Sequence, residues 1–176
     1  MKSHLSKRIS IGYIRKVIAN IRSDQTLLEE LYVLLFDEDD TVAYQAAWVF
    51  THFNPDEIKW LANKQNALID EALVCNHVGK RRLLLTLINL NPLPEPTRVD
   101  LLDRCLLNLR SLLEPPGIIT LSAKLAFKMC KPYPELRQEL ECVLENMEVE
   151  TSVPSIKMIK RKISRNLKEL KKNERI

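Results

Sequence analysis

The residues in this chain whose types could do chemistry are few and scattered. Cys75 and His77 come nearest to a nucleophile with its base. Positions i and i+2 do not share a helix face, and no carboxylate stands where it would orient the imidazole. His77 therefore reads as a capping or surface residue. The run Asp37, Glu38, Asp39, Asp40 is dense in carboxylate but lacks the alternating oxygen ligands and central glycine of a calcium loop. It suits the start of a helix, whose free N–H groups carry partial positive charge. Cys75, Cys105, Cys130 and Cys142 lie 30, 25 and 12 residues apart with no CxxC pair, so neither a zinc site nor a redox motif is expected. All four read as buried free thiols of a reduced cytoplasm. His52 falls at a helix end, where a cation favours the dipole, and His4 in a frayed terminus. No catalytic residue, cofactor site or metal ligand emerges from these positions.

Positive charge is the stronger signal. Lys80, Arg81 and Arg82 are successive and span nearly a full helical turn, so they cannot all point one way. They form either a solvated face or a contact for phosphate or an acidic partner. Near the end of the chain, Ile156, Ile159, Ile163, Leu167 and Leu170 recur at helical spacing, with Lys160, Arg161, Arg165 and Lys168 among the basic residues between them. A helix of this kind binds acidic partners, RNA or anionic membrane, or closes a stack of helices by burying its stripe. The overall balance of 27 basic to 23 acidic residues conceals a segregation. Residues 1–22 hold six basic and no acidic groups, residues 157–176 hold nine and two, and residues 23–156 hold 12 and 21. An acidic body thus lies between two basic ends.

The elements that must position these residues are helices. The chain has 176 residues, 45% of them hydrophobic, which is enough for one domain with a core of its own. Only three glycines occur against nine prolines, which argues against a hairpin-rich β fold, a dinucleotide loop or a P-loop. No run of 18 uncharged apolar residues exists, and residues 1–22 lack the apolar region of a signal peptide. Apolar spacing predicts helices over about Ser10–Arg22 and Gln25–Phe36, the second capped by Asp24. A third is expected over Thr41–Phe53. Asn54-Pro55, Asn91-Pro92 and Lys131-Pro132 then each close an apolar helix, 37 and 40 residues apart. Nine, seven, five and two places before these prolines stand Ala46, Leu83, Ala123; Trp48, Leu85, Leu125; Phe50, Leu87, Phe127; and Phe53, Leu90, Cys130, all apolar. A second amphipathic helix follows each proline, over about Asp56–Cys75, Thr97–Leu113 and Pro134–Met147. A last helix, about Val153–Lys172, brings the expected number to nine.

Such a helix–turn–helix period is that of HEAT and armadillo repeats, in which stacked pairs bury one continuous core. The expected fold is all-α: an α-α superhelix, or failing that an irregular helical bundle. One domain is expected over 1–176. It divides into an N-terminal helix pair at 1–36, about three helix-pair repeats at 37–150 and a basic capping helix at 151–176.

Particular stretches carry a resemblance. Tyr44-Gln-Ala-Ala-Trp-Val49, then Gly79-Lys-Arg-Arg-Leu-Leu-Leu-Thr-Leu-Ile-Asn-Leu-Asn-Pro-Leu-Pro94, then Leu101-Leu-Asp-Arg-Cys-Leu106 and the Pro134–Glu145 segment resemble a family of short bacterial HEAT-like proteins. The resemblance spans most of Thr41–Leu170. It implies the solenoid fold and a cytoplasmic protein, and supplies no catalytic residues. Some members carry the label adenylosuccinate lyase, but the Ser-Ser-x-Met-Pro-x-Lys-x-Asn loop of that enzyme does not occur here.

The functional expectation is a non-enzymatic scaffold that binds another protein. Arg98, Asp103, Arg104 and Arg110 of the middle repeat are the expected polar contacts, with Lys80–Arg82 and the basic terminal helix beside them. The alternative is nucleic-acid binding by the basic ends. A third reading is an enzyme, either a lyase or a base-excision type; the base-excision type would place Trp60 with Asp56 or Glu57 in a groove near DNA, as in tandem HEAT-like DNA glycosylases. Oligomeric state is left open.

Overall fold

The structure, a computed structural model, describes residues 1–111, 113–147 and 153–173. The expected segment boundary at 150–151, Leu112 in the expected sixth helix, and residues 174–176 of the basic end lie outside the described residues. Among the described residues there is no strand, and the all-α class read from the periodicity is the observed one. Contacts gather the chain into two compact units, Met1–Pro92 and Leu93–Ile176. The middle repeat expected from the sequence straddles that boundary.

The first unit holds α1 (Lys2–Leu5), α2 (Ile11–Ser23), α3 (Thr26–Val33), α4 (Asp40–Phe50), α5 (Pro55–Ile58), α6 (Gln65–Val74) and α7 (Val78–Leu90). The expected frayed terminus is instead anchored. Leu5 is fully buried, α1 packs on α4, and His4 stacks on Tyr13 with ring centroids 5.6 Å apart. Ser10 starts α2 by accepting from the Tyr13 N–H, and Ile14, Val17, Ile18 and Ile21 form its buried face. Asp24 stands one place before Gln25, the N-cap residue of α3, and its carboxylate accepts from the N–H of Thr26 at 3.0 Å. A 3₁₀ turn over Leu34–Phe36 carries the chain to the acidic run. There Asp39 accepts from the Thr41 N–H at 2.8 Å, so this run is the opening of α4. Ala43, Ala46 and Ala47 are all buried, and α4 packs against α7.

The three Pro positions are not equivalent. α4 ends at Phe50, and Asn54-Pro55 begins the following helix instead of closing α4. Pro at N1 forfeits only a donor that no helical carbonyl could use. Asn54 accepts from the N–H groups of Asp56 and Glu57, both at 2.9 Å, and Glu57 accepts from the Asn54 N–H at 2.8 Å, closing a capping box. By contrast Asn91 ends α7, its buried amide donating to the Leu87 carbonyl at 3.2 Å. The single helix expected over Asp56–Cys75 is broken into α5, a 3₁₀ stretch over Lys59–Lys64, and α6. The tighter stretch carries Trp60 and Lys64 into a shared aromatic cluster. The Trp60 ring lies nearly parallel to Phe50 (6.5 Å) and edge-on to Tyr32 (5.6 Å), with the Lys64 ammonium 4.3 Å from its centroid.

The second unit holds α8 (Val99–Ser111), α9 (Pro116–Cys130), α10 (Pro134–Glu145) and α11 (Pro154–Asn173). α9 is its centre, packed against α8, α10 and α11. Pro116 and Pro134 stand in the first turns of α9 and α10. Leu101, Leu102, Cys105, Leu106 and Leu109 bury one face of α8, where Asn108 donates to Ser122 at 3.0 Å in a buried contact. The α11 stripe is buried at Ile156, Ile159, Ile163 and Leu167. Burial of four such side chains is worth roughly 6–12 kcal/mol before ordering costs. The proline-counted registers hold at Ala46, Leu83 and Ala123, all buried, and fail at Leu90, which is 53% exposed just before the chain turns.

Candidate functional site

The cations singled out in the sequence have different fates. Lys80 is 4% exposed, its ammonium 2.6 Å from Glu71 on the neighbouring α6. It holds two helices together and offers no charge to a ligand. Arg81 is half-buried, and Arg82 is exposed. Of the middle-repeat set, Arg98 grips Asp100 through two hydrogen bonds of 2.9 and 2.6 Å, which holds the Asp100 carboxyl below the usual carboxylate range. Arg110 reaches Glu139 of α10 at 3.1 Å. Asp103 and Arg104 are exposed on α8.

The Cys75–His77 pair does not form a nucleophile and base. His77 Nδ1 accepts the Lys80 N–H at 3.0 Å and caps α7, so the proton of the neutral ring sits on Nε2. The Cys75 thiol is buried, lies 3.5 Å from the His77 carbonyl as donor, and is pushed up by desolvation. Gly79 gives this cap room, since a Cβ there would stand 3.0 Å from the Tyr44 ring and 3.1 Å from His77. Cys105 and Cys130 are also buried, and burial pushes each thiol up to about 12. Cys142, expected to be buried with the others, is exposed on the outer side of α10. Trp60 is half-buried and lines a small cavity of about 150 Å³ with Phe53, Asp56 and Glu57. Both carboxylates there are engaged: Asp56 with Lys59 at 2.7 Å and Glu57 with Arg22 at 2.6 Å. The Arg22 hydrogen bond holds the Glu57 carboxyl below its ordinary range. No group of three or more His, Cys, Asp or Glu able to hold a metal occurs among the described residues.

The terminal helix divides its charge between two flanks. On one, Lys160 donates to the Met147 carbonyl at 2.8 Å, and Lys171 pairs with Glu141 of α10. These contacts seat the helix, the first of them beside the α10 C-terminus, where a cation is favourable. On the other, Arg161, Lys162 and Arg165 face an open cleft of about 730 Å³ against α9, completed by Lys124, Thr120, Ser155, Met158 and Ile159. Among the described residues, four cations line it and no carboxylate does. Arg165 has an exposed neighbour in Glu169, 3.8 Å away, a pairing of little energetic weight. Lys168 is exposed but lies outside the cleft lining.

Arg161 and Arg165 are thus where the sequence pointed, on an open surface. Lys124 and Lys162 were not foreseen. Lys162 falls on the stripe of Met158 and Arg165 and was legible from spacing. Lys124 was not, because only the packing of α9 on α11 brings it within reach of residues 37 or more positions later.

A family model described as a HEAT repeat domain matches residues 1–167. No curated protein and no solved structure matches the chain.

Proposed function

The chain belongs to the HEAT repeat domain family, and from that premise we propose that it is a non-enzymatic scaffold that binds another protein. The α9–α11 cleft carries this reading, as the place where exposed cations from two helices converge with apolar surface. The side chains elsewhere that resembled reactive groups serve capping, stacking or ion pairing. Four free cysteines suit a reducing compartment, and we place the action of the protein in the cytoplasm, as in the bacterial proteins it resembles. No helix among the described residues is long and apolar enough to cross a membrane.

The test is affinity capture of the tagged full chain from the native cell after nuclease treatment. The expected result is a specific protein that co-elutes in constant ratio. Recovery of nothing overturns the reading. Recovery of nucleic acid alone, released steeply by salt, would favour the second reading. That reading rests on the basic excess of residues 157–176.

A further inference from the structure

We propose that the cleft between α9 and α11 is a docking groove for an extended acidic segment of a partner protein, one apolar side chain of which seats on Met158. The proposal rests on the scaffold reading and gives its partner a chemistry.

Charge complementarity is the first argument. Lys124 reaches the cleft from α9, and Arg161, Lys162 and Arg165 reach it from α11. Lys124, Arg161 and Lys162 are all exposed, and they enter no ion pair among the described residues. Arginine and lysine in such a groove recognise carboxylates through charge-assisted hydrogen bonds. The second argument is the floor. Met158 is 69% exposed in the midst of these cations, beside buried Ile159. An unbranched, polarisable side chain held open on a surface suits an apolar anchor of variable shape.

The length of the cleft suits a short extended occupant. Ser155 to Arg165 runs about 15 Å along the helix axis at 1.5 Å per residue, the length of about four or five extended residues. Single-stranded nucleic acid is held by stacking on aromatic side chains, and the lining contains none among the described residues. Insertion into a membrane would need the apolar stripe of α11, which is already buried.

The experiment is fluorescence anisotropy of the full chain with a short labelled peptide in which one leucine is flanked by Asp and Glu. Saturable binding is expected. It should weaken roughly tenfold when the peptide carboxylates become amides, and by a similar factor in Lys124→Glu or Arg165→Glu, as for truncated interfacial charge pairs. Lys124→Gln, which adds no new charge, should weaken binding by less. Met158→Ser should weaken the leucine peptide and leave a glycine-substituted peptide unchanged. Unchanged affinity in both charge-reversed proteins overturns the proposal. So does tighter binding to duplex DNA, to single-stranded RNA or to phosphatidylserine vesicles, or self-association of the chain through the same residues. If the peptide fails while nuclease-resistant capture of a protein persists in Arg165→Glu, the groove assignment falls and the scaffold reading stands. If the capture fails too, both fall.

Discussion

Adjacent residues of one type have opposite roles in this protein, and Lys80 and Arg82 illustrate it. Lys80 is enclosed with Glu71, whereas Arg82 faces water two positions later. Removing one member of a buried pair strands the other. Lys80→Met is therefore expected to cost about 2–4 kcal/mol, near the lower part of the range for such pairs because Glu71 keeps some contact with water. Arg82→Met should change stability by less than about 0.5 kcal/mol, and urea unfolding of the two variants checks both. The sequence offered no means to tell them apart, because Glu71 lies on another helix. The thiols give a pH prediction. Cys105 and Cys130 ionise near 9 when unfolded and near about 12 when folded. The unfolded state therefore loses these protons first. Their contribution is fully present below pH 9 and declines as pH rises from 9 toward 12. Unfolding free energy should fall over that window, and more shallowly in Cys105→Ala compared with its own value at pH 8. Under native conditions a bulky thiol reagent should modify Cys142 first and reach the other three only on unfolding.

At the scale of elements, local chemistry was mostly legible and its interruptions were not. The nine expected helical spans all contain helix, since periodicity of apolar residues survives in any packing that buries one face. What failed was the role of particular punctuation. Pro55 has the same Asn before it as Pro92, yet it opens a helix, because Glu57 stands where a capping box needs it and the corresponding place after Asn91 is Pro94. Asn54→Ala removes one arm of that box and should destabilise the protein by about 1 kcal/mol, measurable as a shifted urea midpoint at unchanged slope. The break at Lys59–Lys64 was not legible either. It brings Trp60 to Tyr32 and Phe50, residues on two other helices, and an amphipathic pattern records only how much surface is apolar, not which rings meet. The candidate cleft follows the same rule. Its α11 half was legible from heptad-like spacing, and its α9 half depended on tertiary packing.

For the whole molecule, the polarity of charge acquires a physical address. Residues 1–92 carry equal numbers of acidic and basic side chains, and the net positive charge belongs to residues 93–176. Association with an acidic partner should therefore weaken as salt rises, with the change mainly in the association rate. Amide hydrogen exchange on binding should slow in α9 and α11 and stay unchanged in α2 and α3. The division of labour along α11 has a further consequence. The residues that seat this helix, Lys160 and Lys171, are not the residues that line the cleft. Mutation can thus rewrite the recognition code of the cleft without touching the anchorage of the helix. Duplicated copies of such a chain could diverge into non-cross-reacting pairs by exchanging a few surface charges, and an engineer could make orthogonal versions the same way.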